Sequence, residues 1–301
     1  MSENKYKVVF MGTGPFAGPI LEWLIPRYEV LAVVTKPDPN IHDQVKDIAQ
    51  KNELKLFQPA KLKDIYDELE ELNPDFILVA SYGKIISQAV LDIPKIAPLN
   101  VHGSVLPNLR GASPVEFAIL EGLTETGISL MVMDAGMDTG PVIASKTVNV
   151  DEGETRDSLR RKLINASRIL LTEKLGDFLD GKIKPQKQND EEATYTKLLT
   201  RDDGKVDWNK PAIEIERQIR AFDPWPGTFT DWKGKMLKIL KAEPTEGDFK
   251  PGHIYKEGNL IIGCGVGTGL VVDEIQLEGK NKTDGRSFLN GHQDFLKAKL
   301  K

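Results

Sequence analysis

The run Leu99-Asn100-Val101-His102-Gly103-Ser104-Val105-Leu106-Pro107 places an amide and an imidazole two positions apart. In an extended strand, residues i and i+2 project from one face. If this run is a strand, Asn100 and His102 point into one space. An amide beside an imidazole suits acyl chemistry: the amide holds a developing oxyanion, and the imidazole polarises it or moves a proton. Further along, Asp134-Ala135-Gly136-Met137-Asp138-Thr139-Gly140-Pro141 sets two carboxylates among glycines between two strand-like runs. Asp138 has three readings there. It orients His102, it holds a water that relays protons, or it is an Asx-type turn residue. Asp134 reads more simply as a turn residue, and His292 as structural or surface.

Other chemistries fit poorly. The four histidines (42, 102, 253, 292) and the single Cys264 show no metal-ligand spacing, so no metal is expected. There is no G-x-S-x-G elbow and no G-x-x-x-x-G-K-[ST] loop. Gly12-Thr13-Gly14 follows a strand and opens a helix, where phosphates often bind. However, Gly18 comes one residue late for a dinucleotide fingerprint, and the second strand ends in Thr35 without a carboxylate for a ribose. The segment reads as a tight turn of a Rossmann-like sheet.

These side chains need a scaffold, and the first half of the chain supplies one. Lys7–Met11, Val30–Thr35, Phe76–Ala80, Leu99–His102, Ile128–Met133 and Val142–Val148 read as strands. Helical patterns lie between them: Phe16–Leu24, Val45–Asn52, Leu62–Leu72, Ser113–Leu120 and the long Arg156–Phe178. Near-continuous apolar strands alternating with helices predict a doubly wound, mostly parallel α/β sheet. At the carboxyl end of such a strand, Asn100 and His102 sit where open parallel sheets bind ligands. Residues 180–206 are polar and poor in periodic apolar residues, so they read as a linker. A helix over Pro211–Ala221 and short strands over Met236–Ala242, Asn259–Gly263 and Leu270–Leu277 then predict a small β-barrel. Gly263, Gly265, Gly267 and Gly269 read as its hairpin. The expected domains are 1–188, a linker 189–206, and 207–301.

The chain has 301 residues and a net charge of −5. It has no apolar stretch of the ~18–20 residues that a membrane span needs. Its start does not resemble a signal peptide, and one cysteine cannot make an internal disulfide. A cytoplasmic protein with no membrane partner is expected. The last 22 residues hold six basic and two acidic side chains, the most basic stretch of the chain. A polyanion would meet that end first; otherwise it is a solvated terminal helix.

Six segments in order, FMGTGPFAGPILEWL, LNVHGSVLPNLRGASPVEFAILEG, TETGIS, MDAGMDTGPVIA, YTKLLTRDDGKVDW and IRAFDPWPGTF, resemble the methionyl-tRNA formyltransferase family across essentially the whole chain. The resemblance implies a Rossmann-like formyltransferase domain followed by an OB-like barrel that contacts tRNA. It implies catalytic roles for Asn100, His102 and Asp138, and contacts to a 10-formyltetrahydrofolate donor from Ser104, Val105, Leu106 and Pro107, with Tyr82 and Gly83 nearby. A monomer acting on initiator methionyl-tRNA is expected. Two departures stand out. The start reads Gly12-Thr13-Gly14-Pro15-Phe16, where the family has Gly-Thr-Pro-Asp-Phe. The family's long basic insertion after Thr-x-Pro-Asp is also missing, since Thr35-Lys36-Pro37-Asp38 leads through Pro39–His42 almost directly into a helix. The tRNA backbone is therefore expected to meet Lys280, Lys282, Arg286 and the terminal lysines, or failing them basic residues of the catalytic domain such as Arg110, or the linker. Amino-sugar N-formyltransferases share the fold, the donor and an Asp-Pro-Trp-Pro-Gly segment like Asp223–Gly227, and they form the alternative reading.

Overall fold

The computed structural model describes residues 6–37 and 43–301. The shortened loop after Asp38 falls outside the described residues. In chain order the elements of the first half are β1 (Lys7–Gly12), α1 (Gly14–Leu24), β2 (Glu29–Val34), α2 (Gln44–Lys51), β3 (Leu56–Phe57), α3 (Tyr66–Glu71), β4 (Phe76–Ala80), α4 (Gln88–Leu91), β5 (Ala97–His102), β6 (Arg110–Gly111), α5 (Pro114–Leu120), β7 (Glu125–Val132), β8 (Val142–Asn149) and α6 (Arg156–Leu179). After them come β9 (Tyr195–Thr196), α7 (Ala212–Phe222), β10 (Phe229–Trp232), β11 (Lys235–Glu246), β12 (Ile254–Glu257), β13 (Asn259–Gly263), β14 (Thr268–Leu277), β15 (Thr283–Asp284) and α8 (Gly285–Gly291). No helix among the described residues is long and apolar enough to cross a membrane.

The chain packs as two units. The first comprises Met1–Pro114, Glu125–Asn149 and Arg160–Lys197; the second comprises Val115–Thr124, Val150–Leu159 and Leu198–Lys301. The first unit holds a seven-stranded sheet in the order β3-β2-β1-β4-β5-β7-β8. The strands from β3 to β5 are parallel, and β7 and β8 reverse direction in turn. Val8–Met11 and Phe76–Ala80 are buried on both faces, which is why they read as unbroken apolar runs. Gly12 ends β1 because a Cβ there would lie 2.7 Å from both Ala17 Cβ and the Ala80 carbonyl oxygen. The helix expected over Leu62–Leu72 is instead a 3₁₀ turn, Leu62–Ile65, followed by the six-residue α3. Asp64 draws the chain tight by accepting from the Lys61 amide at 3.1 Å.

The second unit holds an antiparallel sheet in the order β10-β11-β14-β13-β12, with β15 paired to β14. The alternating glycines form the β13–β14 hairpin, with Gly263 opposite Gly269. The basic end is not a solvated helix. Phe288, Leu289, Phe295 and Leu300 are buried in this unit's core, and Phe288 and Phe295 meet Trp232 edge-on at 5.8 and 5.0 Å. Two of its six cations are already engaged: Lys282 pairs with Glu274 at 3.0 Å, and Arg286 donates to the Gly258 carbonyl. Lys250, His253, Lys299 and Lys301 instead line a cleft of about 660 Å³ on the same unit.

Candidate active site

β4 and β5 run parallel with Val79 opposite Asn100. Tyr82-Gly83 and Ser104–Pro107 therefore leave the sheet at one edge, beyond the carboxyl ends of neighbouring strands. His102 ends β5 and is 5% exposed. Its Nε2 lies 3.0 Å from the Leu109 carbonyl oxygen. A carbonyl only accepts, so Nε2 carries a hydrogen and donates it there. Nδ1 lies 3.6 Å from Asp138 Oδ2, beyond an ordinary hydrogen bond. Nδ1 is thus the ring nitrogen left to serve a reacting atom.

Asp138 joins the pair from the loop between β7 and β8. Its Oδ1 accepts from Asn100 Nδ2 at 3.3 Å, and its Oδ2 accepts from the Gly111 amide at 2.8 Å. The amide, imidazole and carboxylate read from the sequence are therefore brought together. An Asx turn does form in this loop, but Asp134 makes it: its Oδ1 accepts from the Gly136 amide at 3.0 Å and the Thr139 hydroxyl at 2.7 Å. Asp138 instead adopts a left-handed backbone with φ 54°, a conformation that costs a non-glycine residue about 1–3 kcal/mol unless its surroundings hold it.

The other expected site residues lie on the loops that follow β4 and β5, and Tyr82 packs into the apolar cluster that holds Val9, Met11, Val34 and Leu62. Tyr82 is 2% exposed, and burial pushes its phenol up to about 12. Its buried hydroxyl has no hydrogen-bond partner among the described residues. At Gly83 a Cβ would lie 2.5 Å from Lys36 Nζ. Burial and the nearby Lys84 hold the Lys36 ammonium below the usual lysine range. The Ser104–Pro107 loop braces itself: Ser104 Oγ donates to the Asn108 carbonyl at 2.5 Å, and Ser129 Oγ donates to the Ser104 carbonyl at 2.8 Å. The Ser104 hydroxyl is spent inside its loop, which leaves Val105 and Pro107 half-buried. His292 is structural, with Nδ1 3.0 Å from the Phe288 carbonyl.

Two further features bear on the sequence reading. The α1 N-terminus, where a dinucleotide phosphate would sit, receives a protein carboxylate. Asp43 Oδ1 accepts from the Gly14 amide at 3.0 Å, while Thr35 donates to Oδ2. Arg110 is unavailable to tRNA because it is 1% exposed. Its guanidinium donates to Gln188, Asp190 and Tyr195. Burial opposes its charge, but the bonds to Asp190 and Tyr195 outweigh burial and raise its pKa. Sequence reasoning missed Gln188, Thr194, Gly111 and the part played by Arg110. Polar side chains that satisfy another loop's backbone leave no periodic signal.

Residues 6–175 match the formyl transferase family, and residues 198–293 match that family's C-terminal domain. The chain belongs to the formyl transferase family. It is 42% identical over 300 residues to the methionyl-tRNA formyltransferase of Caldanaerobacter subterraneus subsp. tengcongensis, covering 95% of this chain and 97% of that one. Among solved structures, the fold of this formyltransferase matches an N-formyltransferase from Helicobacter canadensis in complex with folinic acid and dTDP-3-aminofucose. That match has a TM-score of 0.68 at 20% identity and covers 89% of this chain and 98% of that one. A HypX variant from Aquifex aeolicus matches with a TM-score of 0.67 at 20% identity; the match covers 98% of this chain but only 50% of HypX.

Proposed function

We propose that this formyltransferase moves a formyl group from 10-formyltetrahydrofolate to the α-amine of initiator methionyl-tRNA. The first unit carries the chemistry and the second contacts the tRNA. The observation that carries the reading is the convergence of Asn100, His102 and Asp138 at one strand end. The substrate follows the name of a relative that aligns along nearly its whole length. Cytoplasmic action as a monomer belongs to the same reading.

The half-buried Val105 and Pro107, on a loop braced by its own hydrogen bonds, suit an apolar aromatic group. Tyr82, Gly83, Val105, Leu106, Pro107 and the Ser104 backbone would hold a folate there. When bound, the donor supplies an electrophilic formyl carbon attached to nitrogen. As the amine attacks that carbon, negative charge develops on the formyl oxygen. Asn100 Nδ2 gives one hydrogen to Asp138 and keeps the other for this oxygen. His102 Nδ1, when protonated, donates to the same oxygen, its ring angle fixed by the Leu109 carbonyl on Nε2. Asp138 supports the imidazolium and accepts, directly or through a water, the proton that the amine sheds. That proton must ultimately reach the departing nitrogen.

The direct test is to incubate the protein with 10-formyltetrahydrofolate and methionyl-tRNA, beside a panel of nucleotide-linked amino sugars. Formylmethionyl-tRNA should dominate. Formylation of an amino sugar with none of the tRNA would overturn the reading in favour of the sugar alternative.

A further inference from the structure

The polar segment Gln186–Thr196, which sequence reads mostly as linker, is bonded to the backbone of Leu109, Arg110, Asp138, Gly140 and Val142. Val142 and Gln186 exchange backbone hydrogen bonds at 2.8 Å. The Leu109 amide donates to Thr194 Oγ1 at 2.8 Å, and the Arg110 amide donates to the Thr194 carbonyl at 2.9 Å. Leu109 supplies the carbonyl that orients His102, and it too has a positive φ, 55°. Gln188 is 8% exposed and sits at the centre of this strap. Its Nε2 donates to the Asp138 carbonyl at 2.8 Å and to the Gly140 carbonyl at 2.7 Å. Its Oε1 accepts twice from the buried Arg110 guanidinium, at 3.1 and 2.9 Å. The bonds from Arg110 fix which end of the Gln188 amide faces Asp138.

We infer that Gln188, locked by Arg110, is a positioning residue that holds the backbone of Asp138 in its left-handed conformation and so sets the carboxylate against Asn100 and His102. The observation beneath this is structural: an uncommon φ at Asp138, with its own carbonyl and that of Gly140 gripped by one oriented amide. The inference rests on the proposed role of Asp138. Gln188 touches no reacting atom, so its effect must pass through that residue.

A double-mutant cycle tests this. Gln188→Met keeps the bulk and removes all four bonds; Gln188→Glu can still accept from Arg110 but cannot donate to the two carbonyls. Both are measured in the native background and with Asp138→Asn, reading kcat, KM for donor and tRNA, and Tm. Because misplacement of about 1 Å can cost 10²-fold in rate, each should lower kcat by about 10–100-fold with little change in either KM. In the Asp138→Asn background, the further loss should shrink below about threefold. Gln188→Glu serves if Gln188→Met does not fold. An unchanged kcat in the variants, or an equal loss in both backgrounds, overturns the inference. Near-native turnover of Asp138→Asn alone would instead overturn the reading on which it rests.

Discussion

Asn100 and Asp138 can be probed with little collateral damage, whereas His102 cannot. Asn100 is half-buried and makes one long bond, so Asn100→Ala removes the proposed oxyanion donor and little else. Loss of one such donor costs about 10²–10³ in turnover. Steady-state kinetics should show that loss in kcat, with the donor KM much less affected; near-normal turnover would remove Asn100 from the mechanism. His102→Ala should lose at least as much, but it also strips the Leu109 carbonyl of its donor, so its Tm should fall as well. Asp138→Asn keeps an oxygen for the Gly111 amide and should stay folded while losing about 10²–10⁴ in rate. A variant that loses Tm but keeps its activity would show that Asp138 serves only the turn.

At the scale of elements, the short β6–β9 pair bears on the site more than its length suggests. Gly111 has φ 109°, and a Cβ there would lie 2.4 Å from the Thr196 carbonyl oxygen. Its amide also binds Asp138. Backbone strain costs about 1–3 kcal/mol, and each kcal/mol moves Tm by roughly 2–4 °C in a protein of this class. Gly111→Ala should therefore lower Tm by several degrees and lower kcat in the same variant. Gly176, within α6, faces open space, so Gly176→Ala should stabilise by about 0.5–1 kcal/mol. Calorimetry showing the same sign for both would contradict this account. The elements themselves were unequally legible. β4 and β13 have the bounds their apolar runs predicted. Two-residue strands such as β3, β6 and β9 are too short to carry a period, so only pairing reveals them.

For the whole molecule, charge and protons give two measurable consequences. Lys282 and Arg286 are engaged within the second unit, so the cleft bearing Lys250, Lys299 and Lys301 is the proposed place of phosphate contact. Each phosphate contact contributes about 0.7–0.9 to the salt slope of binding. Replacing these three lysines by Ala should weaken methionyl-tRNA binding and flatten that slope more than replacing Lys280, Lys282 and Arg286. The donor KM should stay unchanged in both. A slope unchanged from the native protein when Lys250, Lys299 and Lys301 are replaced would show that the cleft holds no phosphate. The second consequence is alkaline. Burial pushes the Cys264 thiol from 9.0 up to about 12. Above about pH 9 the unfolded chain loses this proton while the folded chain keeps it, so stability falls as pH rises from about 9 towards 12. Tyr82 has the same sign. Tm should decline across this window, and Cys264→Ala should make the decline shallower.

The sequence by itself determined the alternating α/β scaffold, because strands buried on both faces must be continuously apolar, and it marked Asn100 and His102 by their i, i+2 spacing. It also brought Asp138 forward with three readings open, and the family resemblance implied the catalytic one. It did not determine that β7 and β8 turn antiparallel, because an apolar run reads the same in either direction. Nor could it show that His102 Nε2 is already taken, that Asp43 fills the α1 N-terminus, or that Arg110 is buried. Each depends on a partner distant in the chain: Leu109 excepted, the bonds run from Gly14 to Asp43 and from Arg110 to Gln188. The polar stretch around Gln188 shows the physical reason most clearly. Hydrophobic burial leaves a periodic trace along the chain, whereas a side chain that satisfies another loop's carbonyls has a purpose only once tertiary structure brings that loop to it.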